Sequence, residues 1–155
     1  MRRLRLLSAA LTLILAWTGL SASVASVASA ASPAPSVKSV VLQPWFTNAT
    51  TRTLTLAGSN VNPGCFDSKP PQQIPPGGKV TWFVNCGPQY IEGYVTYTID
   101  GTGGQGYAYM PFHLPNPGAD PFGGTRAGGL FTLDLRYVPV SSEVHYTLRC
   151  LSPAC

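Results

Sequence analysis

Alternation of apolar and polar residues is the dominant pattern in this chain, and it is clearest over residues 91–100. There the odd positions are apolar or small, and mostly polar residues lie between them, which is typical of a strand with one buried face. The turn signal Asp100-Gly101 ends that strand. The ranges 40–46, 51–56, 79–85, 107–112, 130–138 and 144–150 have similar short alternations. The pattern therefore predicts seven strands.

No stretch has a sustained helical period, and loops rich in Asn, Pro and Gly cover residues 59–78 and 114–129. Short strands joined by turn-rich connections are typical of a β-sandwich. We therefore expect an all-β fold, a single-domain antiparallel β-sandwich of about seven strands, stapled by disulfides, over residues 38–155.

The alternation also predicts which side chains face the core. On the strand at 130–138 we expect Phe131, Leu133, Leu135 and Tyr137 to face inward, and on the strand at 79–85 Val80, Trp82 and Val84. Asp134 and Arg136 are expected to form a surface ion pair. Pro44 has no backbone N–H to donate, so the first strand is expected at a sheet edge or a bulge.

The first thirty residues have the composition of a secretory signal peptide. Arginines follow Met1, a largely apolar run covers residues 6–20, and a stretch rich in Ser and Ala comes next. An A-x-A pattern ending at Ala30 predicts cleavage before Ala31, and an apolar run of about fifteen residues is short for a membrane anchor. We expect a secreted protein with a signal peptide over 1–30 and a flexible linker over 31–37.

The formal net charge of +4 comes from ten basic and six acidic residues. Arg2, Arg3 and Arg5 belong to the predicted signal peptide, so seven basic and six acidic residues remain after export. A nearly neutral exported domain gives no support for nucleic-acid binding.

All four cysteines, Cys65, Cys86, Cys150 and Cys155, belong to the predicted exported part. An even number of cysteines in an oxidising compartment predicts two disulfides. Three connectivities are possible, and the local pairs Cys65–Cys86 and Cys150–Cys155 are favoured. A zinc site is the rival interpretation, but no C-x-x-C pair is present, so we expect no metal and no cofactor.

Candidate catalytic residues are few. His145 alternates with polar residues and is predicted to be a surface histidine, whereas His113, in a proline-flanked run, is the better binding candidate. No G-x-S-x-G, H-E-x-x-H or Cys-His arrangement is present. Glu92 and Asp100 would lie roughly 26 Å apart along a strand, too far for a carboxylate pair. We therefore expect no enzyme; the enzymatic alternative needs two of His113, Asp120 and Glu92 to converge in one pocket.

Two further residues have predicted structural roles. Asn48 begins the glycosylation sequon Asn48-Ala49-Thr50, although a plain turn between the first two strands also explains it. Glu92 stands at the start of a strand, just before a glycine, and is expected to tie down a neighbouring loop.

Aromatic residues cluster after the Gly-rich stretch at 101–106. The predicted ligand-binding residues are Tyr107, Tyr109, Phe112, His113, Asn116 and Phe122. Flat apolar side chains on proline-stiffened loops suit a surface that meets lipid headgroups or sugar rings. The alternative is that these aromatics cap one end of the sandwich.

Several short motifs occur in a suggestive order. They are Phe46-Thr47-Asn48-Ala49-Thr50 before Thr53-Leu54-Thr55-Leu56, Gly64 in the following loop, Pro70-Pro71-Gln72-Gln73-Ile74-Pro75-Pro76-Gly77, Glu92-Gly93-Tyr94-Val95-Thr96-Tyr97, and Phe112-His113-Leu114-Pro115-Asn116-Pro117-Gly118-Ala119-Asp120. This order resembles the aegerolysin family and its bacterial crystal-protein relatives. Phe112 and His113 stand near the position where that family usually has a tryptophan.

The resemblance implies a small β-sandwich protein that recognises membrane lipids, and it implies a pore-forming partner protein. The expected function is secreted, non-catalytic binding of membrane lipids or headgroups through the aromatic loop. The alternative is a secreted, envelope-associated interaction protein. That protein would be a carbohydrate-binding module, or a protease inhibitor with its reactive loop at 64–71. The expected partner is a membrane lipid or glycan surface and no nucleic acid.

Overall fold

β-Strands make up the regular structure of the residues that the computed structural model describes, which are 40–85, 89–115, 119–153 and 155. The strands are β1 (Gln43–Asn48), β2 (Leu54–Val61), β3 (Cys65–Ser68), β4 (Gln73–Ile74), β5 (Lys79–Thr81), β6 (Phe83–Asn85), β7 (Ile91–Ile99), β8 (Tyr107–Leu114), β9 (Arg126–Ala127), β10 (Phe131–Val138) and β11 (Glu143–Cys150). The predicted all-β class is confirmed, and no helix among the described residues could cross a membrane. The predicted signal peptide and linker lie outside them.

The described strands number eleven, where about seven were expected. The short strands β3, β4 and β9 lie in segments that were predicted as loops, and the stretch predicted at 79–85 is divided into β5 and β6. Strands of two to four residues carry too little alternation to give a recognisable period in the sequence. Their pairing depends on which neighbour the fold brings alongside.

Three sheets are formed by these strands. The four-stranded sheet has the order β10-β11-β1-β5, the five-stranded sheet has the order β4-β2-β7-β8-β9, and β3 pairs with β6. The sequence neighbours β7 and β8 pair antiparallel, as do β10 and β11. Short connections favour this arrangement, since parallel neighbours need a long crossover.

One pair departs from the predicted antiparallel arrangement. β1 lies parallel to β11, with Trp45 opposite His145 and Phe46 opposite Tyr146. The prediction of a purely antiparallel fold is therefore wrong at this pair. Strand direction relative to a partner far along the chain leaves no trace in local alternation, because only the inward and outward positions are encoded there.

β1 is also an interior strand, although Pro44 predicted an edge or a bulge. The neighbouring chain is interrupted where it passes Pro44, since β5 ends at Thr81 and β6 begins at Phe83. The Trp82 N–H donates to the Pro44 carbonyl at 3.3 Å, and the Thr81 hydroxyl donates to it at 2.8 Å. A break in the partner strand accommodates the proline here, and an edge position is not needed.

Both larger sheets contribute to one hydrophobic core. Phe46 of β1 contacts Tyr97 of β7 with ring centroids 5.8 Å apart, and Tyr146 of β11 contacts Phe122 edge-on at 6.4 Å. The Tyr97 hydroxyl donates to the Pro71 carbonyl at 2.8 Å, which satisfies its polar end. Burial raises the pKa of Tyr97 and of Tyr146 far above the usual value.

The predicted inward face of β10 is confirmed by the register, which pairs Leu135 with the buried Tyr146, and Phe131 is buried there, but Leu135 differs from expectation in being 38% exposed. The expected ion pair is also different, because Asp134 contacts Arg149 of β11 at 3.1 Å and not Arg136. Asp134 and Arg149 are diagonal neighbours on adjacent strands, within reach of a long side chain. Cross-strand neighbours of this kind are decided by pairing and not by sequence spacing.

Asn48 anchors the turn after β1 from inside the fold. Its side chain is fully buried, and Nδ2 donates to the carbonyls of Arg52, Ile74 and Pro75 at 2.8, 3.2 and 2.9 Å. Its Oδ1 accepts from the Thr50 hydroxyl at 2.7 Å. The side-chain nitrogen is thus committed to the fold, which favours the turn interpretation of the sequon over glycosylation.

The predicted Cys150–Cys155 disulfide is confirmed, with Cα atoms 5.7 Å apart. Cys65 is also disulfide-bonded, and Cys86, its predicted partner, lies outside the described residues. The Thr51 hydroxyl donates to the Cys155 carbonyl and so links this end of the sheet to the turn after β1. An intramolecular disulfide is compatible with the predicted extracellular location.

Candidate functional site

The outer face of the five-stranded sheet combines tyrosines with ionisable side chains. Alternate residues of β7 and β8 are buried, and the others project outward: Glu92, Tyr94, Thr96 and Thr98 from β7, and Tyr107, Tyr109, Pro111 and His113 from β8. The register places Glu92 directly opposite His113. Alternation and pairing together bring a carboxylate beside an imidazole that is distant in sequence.

A cleft of about 360 Å³ opens on this face, and we call it the tyrosine cleft. Its lining includes Asn60, Glu92, Tyr94, Tyr109, His113 and Asp120. A side chain on Gly93 would meet the Asn60 carbonyl and would lie 2.8 Å from the Phe112 ring. Glycine at this position therefore lets β2 and Phe112 approach β7 closely beneath the cleft.

His113 lies between an aromatic ring and a carboxylate. Its Nδ1 is 3.4 Å from Glu92 Oε2, and the Tyr90 ring stacks on its other side at 5.9 Å with an interplanar angle of 17°. The side chains of His113 and Glu92 remain 44% and 57% exposed. This arrangement orients the imidazole and leaves the carboxylate accessible to a ligand.

Tyr94, Tyr109 and Arg126 form the second half of the site. The two tyrosine rings are 5.9 Å apart and tilted by 34°. The Arg126 guanidinium lies 4.4 Å from the Tyr109 ring centroid, a cation–π contact that follows from the pairing of Arg126 with Tyr109 across β8 and β9. Tyr94 is 37% exposed and presents part of its ring to solvent.

The chain after β8 forms one wall of the cleft. The His113 N–H donates to the Pro121 carbonyl at 2.8 Å, and Asp120 Oδ1 accepts from the Phe122 N–H at 2.9 Å. Phe122 is then buried against Tyr137, with centroids 4.9 Å apart in an edge-to-face arrangement. The buried phenylalanine thus holds Asp120 at the rim.

The structure separates the predicted ligand-binding residues into two groups. Tyr107, Tyr109 and His113 project from the outer face. Phe112 and Phe122 are only 4% and 2% exposed, so the expectation that they present their faces to a ligand is corrected, and they support the cleft from the core. Asn116 lies outside the described residues.

Sequence reasoning missed Tyr90, Tyr94 and Arg126 as parts of the site. The signal for Tyr94 was present, because it occupies an even position of the strand in which the odd positions are buried. Tyr90 and Arg126 lie in a loop and in a two-residue strand, where alternation carries no information. The Glu92 carboxylate faces the cleft, whereas its backbone carbonyl accepts from the Asn62 N–H at 2.8 Å and holds the loop that the side chain was expected to hold.

The enzymatic alternative needs two of His113, Asp120 and Glu92 in one pocket, and this condition is met because all three line the tyrosine cleft. No serine, threonine or cysteine is among the described residues that line it. No group of three His, Cys, Asp or Glu side chains in the described part of the chain could hold a metal ion. The groups that could contact a ligand are therefore aromatic rings, two carboxylates, an imidazole, amides and the guanidinium over Tyr109.

Comparison with known proteins provides no match: no protein-family model matches this chain, and no curated protein matches it significantly.

Proposed function

We propose that this chain is a secreted, non-catalytic, aegerolysin-like β-sandwich protein that binds zwitterionic lipid headgroups in the tyrosine cleft. The sandwich is supported by the single core to which both larger sheets contribute, with Phe46 of one sheet against Tyr97 of the other. The observation that carries the binding proposal is the aromatic cleft itself, which is lined by Tyr94, Tyr109, Glu92 and Asp120 and has the Arg126 guanidinium over the Tyr109 ring.

The ammonium of a choline or ethanolamine headgroup matches the first half of the cleft. Aromatic faces attract such cations, and Tyr90 and Tyr94 are 46% and 37% exposed there. Glu92 lies on the same side and adds a negative charge that is more than half exposed. An ammonium bound here would make cation–π contacts with the tyrosine rings and an ionic contact with the Glu92 carboxylate.

The headgroup phosphate matches Arg126 at the other side. One guanidinium nitrogen donates to the Gly124 carbonyl at 3.0 Å, which holds the side chain over Tyr109. The remaining N–H groups are available for a charge-assisted contact with phosphate. The site thus offers both signs of charge, as a zwitterionic headgroup requires.

The exposed residues of the cleft are of a type suited to contact lipid headgroups and not the acyl chains. Tyrosine is favoured at the membrane–water interface, where its ring is apolar and its hydroxyl is hydrated. Phe112 and Phe122 are buried and would not enter the acyl region without unfolding. Penetration of the bilayer would then belong to the partner protein that the family resemblance implies.

Co-sedimentation with vesicles tests the proposal. Phosphatidylcholine vesicles should retain the protein, phosphatidylglycerol vesicles should retain less, and free phosphocholine should compete. We expect Tyr94→Ala to weaken retention roughly tenfold, which corresponds to about 1.4 kcal/mol. Trp45→Ala, on the other sheet, is the matched control and should bind like the wild type. The proposal fails if no vesicle retains the protein or if Tyr94→Ala binds unchanged.

A glycan is the second candidate ligand, and the amide side chains of Asn60 and Asn62 in the cleft favour it. Amides and tyrosine rings together match the hydroxyls and the apolar face of a sugar. Competition by free neutral sugars but not by phosphocholine would select this candidate. For the protease-inhibitor alternative, the segment 64–71 contains β3, which pairs with β6 and so is not presented as a free reactive loop.

A further inference from the structure

The outer face of the four-stranded sheet carries a second aromatic surface. This sheet shares no strand with the five-stranded sheet that forms the tyrosine cleft. Four outward residues lie side by side across the strands, because Arg136 pairs with His145, His145 with Trp45, and Trp45 with Thr81. We call these four residues the Trp45 row. With neighbouring strands about 4.8 Å apart, the row spans roughly 14 Å.

Trp45 and His145 form a stacked pair with nearly parallel rings at the centre of the row. Their ring centroids are 6.2 Å apart and their planes differ by 8°. Trp45 is 38% exposed although β1 is an interior strand of its sheet. A partly exposed tryptophan whose ring is stacked against an imidazole keeps flat apolar surface available to a ligand, with little side-chain entropy to lose.

The charges around this platform favour an anion. Asp134 is paired with Arg149 at 3.1 Å, and the Glu143 carboxylate contacts His145 at 3.6 Å. Arg136 and Lys79 have no ion-pair partner among the described residues. Arg136 lies at one end of the row, on β10. At the other end, Lys79 lies on β5, two residues before Thr81 and on the same face. Asp134 is thus ion-paired, and Glu143, which is 30% exposed, also accepts from the Ser141 hydroxyl at 3.0 Å, while the two cations remain available.

We propose that the Trp45 row binds an acidic polysaccharide, one whose sugar rings carry a carboxylate or phosphate group. The apolar face of a sugar ring would stack on Trp45, and the anionic substituent would meet Arg136 with bidentate geometry. The Thr81 hydroxyl donates to the Pro44 carbonyl and accepts from the Gln43 amide at 3.5 Å, which leaves one lone pair to accept from a sugar hydroxyl. This site is independent of the headgroup proposal, since it uses another sheet and the opposite sign of charge.

Affinity electrophoresis of the purified protein tests the inference. Gels containing polygalacturonate should retard the protein, and gels containing neutral dextran should not. We expect Trp45→Ala and Arg136→Gln each to lower the affinity for polygalacturonate about tenfold, with the Arg136→Gln effect shrinking at high salt. Tyr94→Ala, in the tyrosine cleft, should be retarded like the wild type.

Four results would overturn the inference. They are absence of retardation by polygalacturonate, equal retardation by dextran, loss of retardation in Tyr94→Ala, and release of the protein by single-stranded DNA or anionic vesicles at the same concentration as by soluble oligogalacturonate. Arg136→Gln alters an exposed side chain and keeps the fold, so its result stands even if Trp45→Ala is unstable. Equal urea midpoints for Arg136→Gln and the wild type verify that control.

Discussion

The two outer sheet faces use the same local arrangement with different surroundings. In the tyrosine cleft His113 lies between Tyr90 and Glu92, and in the Trp45 row His145 lies between Trp45 and Glu143. In each group of three residues, strand pairing places one neighbour opposite the histidine. The other neighbour lies at the start of a paired strand or just before it. A histidine held between a ring and a carboxylate therefore does not by itself identify a ligand.

The difference between the faces lies in which charges remain available. The cleft adds Asp120 to Glu92 at its rim and has one guanidinium over Tyr109. Near the row, Asp134 is paired with Arg149 and Glu143 is only 30% exposed, against 57% for Glu92, whereas Arg136 and Lys79 have no ion-pair partner among the described residues. The first face is suited to a zwitterion with an exposed ammonium, and the second to an anion.

The largest effect is expected from a core substitution that destabilises the fold and therefore impairs binding at both faces. Phe46 packs against Tyr97 between the sheets and is 1% exposed. Phe46→Ala should lower the free energy of unfolding by about 3–5 kcal/mol because it leaves a cavity in the shared core. Urea unfolding measures this loss, and both binding activities should decline with the folded fraction. Survival of one activity in the unfolded protein would show that its site does not need the fold.

Alkaline pH should also affect the two faces together. Burial raises the pKa of Tyr97 and Tyr146 above the usual value near 10. The unfolded chain then loses these protons first, so stability is complete below about pH 10 and falls as the pH rises above it. Urea unfolding between pH 8 and 11.5 should show this fall. Tyr97→Phe should make it shallower, and an equally steep fall in that variant would contradict the assignment to Tyr97.

A smaller change should separate the faces. Gly93→Ala inserts a methyl group against the Asn60 carbonyl and the Phe112 ring, so β2 and β7 must move apart beneath the cleft. We expect a loss of about 1–3 kcal/mol in stability and weaker phosphatidylcholine binding, with polygalacturonate binding retained. Gly77→Ala adds a methyl group with no atom within 4 Å and so controls for a methyl group that makes no steric contact. Its positive φ means that it also measures backbone strain.

The smallest expected effects come from the two matched carboxylates. Glu92→Gln should weaken phosphatidylcholine binding about fivefold to tenfold by removing the charge beside the ammonium, roughly 1–1.4 kcal/mol. Glu143→Gln should leave that binding unchanged and strengthen polygalacturonate binding slightly, since a repulsive charge next to His145 is lost. Vesicle co-sedimentation and affinity electrophoresis on both variants provide the comparison. Identical behaviour of the two variants would remove the distinction between the faces.

Sequence reasoning was strongest on the long strands and weakest on short or distant pairings. β7, β8, β10 and β11 were predicted close to their observed bounds, because eight or nine alternating residues give a clear period. The split at Trp82 and the two-residue strand β9 were not predictable in this way. For the site, Tyr109 and His113 were identified together, whereas Tyr107 projects from the same face outside the cleft lining and Arg126 was recognised only from the β8–β9 pairing.

Phe112 and Phe122 show why the aromatic cluster could not be resolved from the sequence. Both belong to the same run of aromatic residues as Tyr107 and Tyr109, but Phe112 occupies an inward position of β8, and Phe122 turns into the core after Asp120. Residue type alone predicts apolar contact in either case. Only the direction of each side chain decides whether it is exposed to a ligand or packs in the core.

The sequence by itself determined the all-β class, the inward faces of the long strands and the local Cys150–Cys155 disulfide, because each depends on residues close together in the chain. The tertiary structure decided the parallel pairing of β1 with β11, the meeting of Glu92 with His113, and the row from Arg136 to Thr81. These features depend on strand register and on which strands become neighbours. That choice is made by burial of the shared core and leaves no local pattern in the sequence.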